Sequence, residues 1–441
     1  MRNGAPPRPD ATGDNVRRMA RLFEFHGWRM VAAGSALQFL QAGLMQQAFG
    51  AYVAVLSAER GWSKTSLSGA AALQSVETAI IGPVLGWLID RLGAPRMIRW
   101  GVWIFGLGLI ALGCVRTLPE FYAAVIVIAL GTSLCGYFPL NVAIIHWFER
   151  KRARALSSMG LGLALGGVFV PVVAGSMVAF GWRATAIGSG VLMLALGWPL
   201  SRVFLRSPAE IGQTVDGLPA AAPRAAGAAA ASPEEEPPEF TAREALRTRA
   251  FWLLSVGHGF ALLVVTAVNV HAITHMKEAL GYSVAQASLV ITLMTLAQVG
   301  GVLLGMSGGD RWNKRMIAAA CMLMHALGLL ALTYATGPAM LGAFAVLHGV
   351  AWGLRGPFMQ AIRADYFGRR SIGMIMGLSA VIIAVGQVGG PMVAGGFADL
   401  TGDYRTGFTL LALVAAAGSL AFVSATPPAR PSRPGARATA P

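Results

Sequence analysis

Residues 86–96 read GWLIDRLGAPR, a short charged stretch that interrupts an otherwise apolar sequence. A weaker copy, MSGGDRWNKR, occupies residues 306–315, so Asp90 and Asp310 lie 220 positions apart. Internal symmetry of this kind indicates a structural unit that occurs twice in the chain.

The composition excludes an ordinary soluble protein. The 441 residues are 55% hydrophobic and 12% charged, with a mean hydropathy of +0.60. Soluble domains carry about 25% charged residues, so membrane lipid is the expected solvent. The three cysteines lie in apolar runs, which favours core positions over disulfides or a metal site.

Twelve segments are long and apolar enough to cross a bilayer as helices, which takes about 20 residues each. The chain lacks the ten-residue alternating segments of a membrane β-barrel. The predicted fold class is therefore an all-α membrane protein. The predicted spans are 30–57, 66–89, 97–115, 121–146, 155–180, 184–204, 250–274, 284–306, 314–335, 339–361, 372–397 and 406–425.

The basic residues orient these spans. With an even number of spans, 28 of the 35 Lys and Arg residues fall on the side of both termini and six on the other, while Arg355 lies inside a span. This asymmetry predicts cytoplasmic termini. It also accounts for the net charge of +15 without nucleic acid, which we do not expect as a partner.

The chain divides near its middle. Residues 206–249 are rich in Pro and Ala, carry an acidic cluster, and are predicted to form a flexible cytoplasmic linker. The predicted organisation is a cytoplasmic tail (1–27), a six-helix bundle (28–205), the linker, a second six-helix bundle (250–425) and a cytoplasmic tail (426–441).

Further landmarks keep the register of the two charged stretches. PVVAG at 171–175 and PMVAG at 391–395 are again 220 apart, and Pro139 and Pro357 are 218 apart. Parallel repeats related by an axis along the membrane normal are a transporter plan that places the binding site between the halves, near mid-membrane.

GWLIDRLGAPR resembles the loop signature of the major facilitator superfamily, which implies two pseudo-symmetric six-helix bundles. In that family the stretch forms a latch that closes the cytoplasmic side. A helix beginning after Gly368 would present free N–H groups to Asp90. The alternative is a topology anchor with a tight turn at Gly93. The predicted gating residues are Asp90, Arg91, Arg96, Asp310 and Arg311.

Several other stretches resemble the monocarboxylate-porter and oxalate:formate-antiporter branch, among them NVAIIHWFERKRARAL at 141–156 and ADYFGRRSIGMIMG at 364–377. Relatives in this branch carry an arginine in the eighth span, where this chain has Gly301. Either Arg355 replaces that arginine, or the substrate is not a simple monocarboxylate.

Two charged residues fall inside predicted spans, where a charge usually faces protein or a water-filled cavity. Arg355 is the predicted anion-binding residue, because a guanidinium can hold a carboxylate through two parallel hydrogen bonds. The alternative is that Arg355 reaches the cytoplasmic surface. Glu77 is the predicted proton-coupling residue, and the alternative is a neutral packing residue.

Polar residues in the spans complete the predicted substrate site, although each could instead form a helix–helix hydrogen bond. His271 and His275 are one helical turn apart, but without a third ligand we expect no metal. Besides Arg355, the predicted substrate-binding residues are Gln46, Tyr137, Asn141, Asn269, His271, Gln298 and Gln360.

The sequence thus predicts a secondary transporter, not an enzyme, that moves a small organic anion by alternating access, with a proton as the candidate coupling ion. We expect no cofactor, a monomer, and a location in the cell inner membrane. The alternatives are an exporter of hydrophobic or cationic compounds and a transporter-like sensor that binds its ligand without moving it.

Overall fold

The structure, a computed structural model, describes residues 24–62, 64–218 and 239–431, and these residues contain helices but no strand. Twelve long helical segments follow one another in this part of the chain. They are α1 His26–Arg60, α2 Lys64–Leu92, α3 Ala94–Cys114, α4 Leu118–Trp147, α5 residues 152–180, α6 residues 182–202, α7 Arg249–Leu280, α8 Val284–Gly308, α9 Lys314–Thr333, α10 Pro338–Phe367, α11 Ile372–Thr401 and α12 Arg405–Ser424.

Two glycines mark the sharpest boundaries between these helices. Gly93 separates α2 from α3 with a φ of 89°, and Gly181 separates α5 from α6 with a φ of 80°. A side chain with a Cβ atom rarely adopts such angles, so glycine permits these turns. Shorter interruptions occur inside three helices, namely a π-helical turn at Ala42–Gln46 in α1, a break at Gly136 in α4 and a 3-10 turn at Gly167–Phe169 in α5.

Nine helices in the described part of the chain are long and apolar enough to cross a membrane. One of the nine, Arg152–Arg202, comprises α5 and α6 together. Neither α2 nor α10 is among the nine. A multi-pass membrane protein therefore follows from the helices, whereas the number of twelve spans stays a prediction.

Two hydrophobic cores organise the molecule. The first core joins residues of α1–α6 with four residues from α10 and α11. The second core joins residues of α7–α12 with Phe240 and Ala245. We call the end of the bundle that carries residues 90–96, 149–154, 310–315 and 365–370 the basic face, and the opposite end the outer face.

The two halves meet most closely where α2 packs against α11 near the basic face. A Cβ atom on Gly86 would lie 2.4 Å from the carbonyl oxygen of Gly373, and one on Gly377 would lie 2.4 Å from that of Gly82. Both helices thus place glycines four residues apart at the contact. Small residues at this spacing let two helix backbones approach each other closely.

We expect Gly86→Ala to weaken this contact, because the added methyl group overlaps the backbone of α11. Overpacking of this kind costs about 1–3 kcal/mol. Thermal unfolding of the purified protein, followed by tryptophan fluorescence, should show a lower midpoint. Gly160→Ala is the matched control, because no neighbouring atom lies within 4 Å of its new Cβ. Equal midpoints for the two variants would contradict the role of the glycine contact.

Candidate substrate cavity and gate

A cavity of about 320 Å³ lies between the two halves. Its walls come from α1, α2 and α4 of the first half and from α7, α10 and α11 of the second. Most of the wall is apolar, and polar side chains enter from several helices. Of the predicted substrate residues, the structure brings Gln46, Tyr137 and Gln360 together in this wall.

Arg363 is the arginine that lines the cavity. Its side chain is only 2% exposed. The Nη2 atom donates to Nδ1 of His258 at 3.2 Å, and Nη1 lies 3.5 Å from Oε1 of Gln360 and from the carbonyl oxygen of Met359. Among the described residues, the Nε atom has no hydrogen-bond partner. The hydrogen bonds of the Arg363 guanidinium are therefore incomplete.

Arg363 was not among the predicted site residues, because the predicted tenth span ends at residue 361 and this arginine then falls on the cytoplasmic side. In the structure α10 continues to Phe367. The signal was available: no glycine or proline follows Pro357 before Gly368, so nothing in the sequence ends the helix earlier.

Arg355, the predicted anion-binding residue, lies outside the wall of this cavity. It is buried, with 2% exposure, and so does not reach the basic face. It is not part of the cavity wall, but it lies near Tyr137 and Cys321. Its Nε and Nη1 atoms have no hydrogen-bond partner within the part of the chain that the structure describes. Arg355 therefore lies behind the cavity wall, next to Tyr137.

Glu77 is one side chain removed from the cavity. The hydroxyl of Ser133 donates to Oε2 of Glu77 at 3.2 Å, and Ser133 itself lines the cavity. Glu77 is partly buried on α2. A role for Glu77 in proton coupling stays a prediction.

Four other predicted substrate residues lie outside the cavity wall. Asn141 is buried and donates to the carbonyl oxygen of Tyr137 at 2.7 Å. His271 contacts the carbonyl oxygen of Pro391 at 3.0 Å, Asn269 is exposed, and Gln298 is partly buried on α8. Any role for these four in substrate binding stays a prediction.

Asp90 binds the start of α11 across the boundary between the halves. Its Oδ1 accepts from the backbone N–H of Gly373 at 2.9 Å, and its Oδ2 accepts from that of Met374 at 2.8 Å. The first N–H groups of a helix lack partners within the helix and carry partial positive charge. The carboxylate supplies both missing acceptors and a negative charge, in the position that the sequence suggested.

Asp310 repeats this arrangement in the opposite direction. Its Oδ1 accepts from the backbone N–H of Arg154 at 3.1 Å, at the start of α5. Arg154 and Met374 are 220 positions apart, as are Asp310 and Asp90. Burial raises the pKa of Asp310, and the amides of Arg154 and Ala153 oppose this shift. Each half therefore caps a helix of the other half.

The three predicted gating arginines differ in their surroundings. The guanidinium of Arg91 lies over the ring of Trp87, 5.2 Å from its centroid, while Arg96 and Arg311 are exposed. Ion pairs across the halves come from other residues. Arg152 pairs with Asp365, which also binds Lys314 at 2.7 Å, and Arg369 pairs with Glu149. These contacts close the basic face.

The ends of the predicted linker are folded, contrary to the expectation of a flexible segment throughout residues 206–249. The carboxylate of Asp216 accepts from the backbone N–H groups of residues 149–151, and that of Glu239 accepts from those of Arg369 and Arg370. Residues 219–238 lie outside the described part of the chain. Composition alone could not predict these contacts, because each depends on one acidic side chain that accepts hydrogen bonds from the backbone of a turn.

Comparison with known proteins identifies the family. The family model of the Major Facilitator Superfamily matches residues 34–273 and 254–441. The chain belongs to this superfamily, and it has the predicted all-α fold of the family.

Individual relatives are distant. The chain is 25% identical to the MFS transporter asaE of Aspergillus flavus (82% of this chain, 77% of the relative) and 25% identical to human Monocarboxylate transporter 11 (90% and 82%). It is 23% identical to the Probable L-galactonate transporter of Escherichia coli (83% and 82%). Among solved structures it resembles human MFSD10, with a TM-score of 0.67 at 14% identity over 90% of this chain and 99% of that one.

We expect Asp90→Ala to open the basic face more often, because it removes two hydrogen bonds to a helix start. A loss of about 1–2 kcal/mol would shift the open population by roughly 5- to 30-fold. The measurement is maleimide labelling, from the basic side, of a cysteine introduced at the cavity residue Ala380, with Cys114 replaced by serine.

Asp403→Ala is the matched control for this experiment. Asp403 also accepts a backbone N–H near a helix start, that of Arg405 at 2.9 Å, but it lies at the outer face. Labelling that rises equally in both variants, or in neither, would contradict a gating role for Asp90.

Proposed function

We propose that this protein is a secondary active transporter that moves a small organic anion across the membrane by alternating access. The observation that carries the proposal is the buried guanidinium of Arg363 in a cavity between the two halves. A carboxylate could accept two parallel hydrogen bonds from such a guanidinium.

The electrostatics of the centre favour an anion. Arg363 and Arg355 bring two positive charges to positions about two turns apart on α10, and one acidic side chain, that of Glu77 on α2, lies behind the cavity wall. A buried charge without a counter-charge costs free energy, which an anionic ligand would recover. Arg355 would add to the field at the site from behind Tyr137 instead of binding the ligand directly.

The names of two relatives agree with a carboxylate substrate. Monocarboxylate transporter 11 and the Probable L-galactonate transporter are both named for carboxylates, and each is matched over more than four fifths of this chain. We extend this substrate class to the present chain on the basis of Arg363.

Alternating access would use the two capping carboxylates as the gate. The contacts of Asp90 and Asp310 close the basic face and would have to break together before the cavity opens there. The excess of basic residues supports a cytoplasmic location for this face. The corresponding location is the cell inner membrane, with both termini cytoplasmic and the protein acting as a monomer.

Uptake into proteoliposomes tests the role of Arg363. We expect the wild type to take up at least one of pyruvate, lactate, oxalate and galactonate, all radiolabelled. Arg363→Gln should abolish this uptake, since it removes the charge, and Arg363→Lys should retain part of it. Removing a buried charged partner typically costs about 3–5 kcal/mol, which corresponds to at least a hundredfold loss. Full uptake by Arg363→Gln would refute the proposed site.

Glu77→Gln tests whether proton coupling depends on Glu77. If the carboxylate carries the coupled proton, this variant should exchange anion across the membrane but should not accumulate it in response to a pH gradient. Counterflow without a gradient is the internal control, because it needs binding and alternation but no net proton movement. Gradient-driven accumulation at the wild-type level would remove Glu77 from the coupling mechanism.

A second candidate function is the export of a larger, partly apolar compound. Apolar side chains such as Leu85, Phe138 and Leu262 form much of the cavity wall. Such a compound would compete with the carboxylate for the same space but would depend less on Arg363. Competition assays with the wild type and Arg363→Gln therefore separate the two functions.

A further inference from the structure

We propose that His258 is a proton-binding residue of the substrate site, and that it takes up a proton when a carboxylate binds to Arg363. This inference rests on the proposed function and specifies its coupling: one proton would bind together with each carboxylate group, at α7 and α10 instead of at Glu77.

The contact between the two side chains fixes the form of the imidazole. A guanidinium carries only hydrogen-bond donors. At 3.2 Å from Nη2 of Arg363, Nδ1 of His258 must therefore act as the acceptor. Its proton then resides on Nε2, and the ring is neutral. The positive charge of this hydrogen-bonded pair therefore lies on the guanidinium of Arg363.

A second proton cannot enter this arrangement easily. Protonation of Nδ1 would turn the acceptor into a donor and place two cations in contact in a buried site. Like charges at this distance strongly disfavour the charged form. An empty cavity would therefore keep His258 neutral.

A bound carboxylate reverses this situation. Its two oxygens would take the donors of Arg363, and its negative charge would offset the guanidinium. Nδ1 of His258 would lose its donor and could bind a proton, which would then form a second charge-assisted hydrogen bond to the carboxylate. Anion and proton would each strengthen the binding of the other, as linkage requires.

The charged and titratable groups around His258 support this assignment. The positive charges of Arg363 and Arg355 on α10 act on His258, and Tyr137 of α4 lines the same cavity. The parts of α1, α2 and α11 in the cavity wall contribute amides and apolar groups, such as Gln46, Leu85 and Gln387. Glu77 accepts a hydrogen bond from Ser133 and does not itself line the cavity.

Binding of a radiolabelled carboxylate to the purified protein tests the proposal. The probe is whichever of pyruvate, lactate, oxalate and galactonate the wild type takes up best. We expect wild-type affinity to fall up to tenfold for each unit of rising pH between pH 5.5 and 7.5. His258→Asn should bind the probe with nearly constant affinity over this range, because asparagine offers an acceptor to Arg363 but cannot be protonated.

Two variants make this result specific. His275→Asn, on the same helix but outside the cavity wall, should keep the wild-type pH dependence, and so should Glu77→Gln if the proton binds at His258. A pH dependence that survives in His258→Asn, or disappears only in Glu77→Gln, would overturn the proposal. Failure of the wild type to bind any of the four probes would instead refute anion transport itself.

The protonation form of the His258 ring can also be measured without a ligand. In protein labelled with ¹⁵N-histidine, the signal that disappears in His258→Asn should show a proton on Nε2 and none on Nδ1. It should keep this form down to pH 5.5. A proton on Nδ1, or a doubly protonated ring at that pH, would contradict the arrangement on which the coupling depends.

Discussion

The structure depends on a reciprocal contact in which a carboxylate of each half caps a helix of the other half. Asp90 accepts hydrogen bonds from two backbone N–H groups in the first turn of α11, and Asp310 accepts one from the first turn of α5. The two carboxylates are 220 residues apart, and so are the amides of Arg154 and Met374. The first N–H groups of a helix have no partner within the helix, so a buried helix start needs acceptors from elsewhere. Because the acceptors come from the opposite half, the opening of the basic face that we propose would leave these amides without their partners.

The proposed transport cycle requires that this contact be weak enough to break. Each interaction between a carboxylate and a helix start stabilises by about 1 kcal/mol, and water can replace the carboxylate when the halves separate. The glycines of α2 and α11 bring the backbones together without interlocking side chains. A few weak contacts of this kind can form and break as a group, which large apolar side chains interlocked across the boundary would not allow.

The cavity presents the opposite case, in which charge is buried and incompletely paired. Arg363 contacts a neutral imidazole and two distant oxygens, and Arg355 lies behind it with two donors unpaired among the described residues. Buried arginines ordinarily have well-formed partners. Incomplete pairing at this point favours a ligand that brings its own negative charge.

The sequence by itself determined the class of the protein, the duplication and the capping role of Asp90, because hydropathy, repeat interval and a helix start are properties of the chain. It did not show which arginine of α10 lines the cavity, since the prediction was Arg355 and the structure has Arg363 in the wall, and it left Asn269, His271 and Gln298 as candidates that lie outside the cavity wall. That choice depends on where α10 ends and on the rotation of each helix about its axis. Both are set by packing against neighbouring helices, so only the tertiary structure decided them.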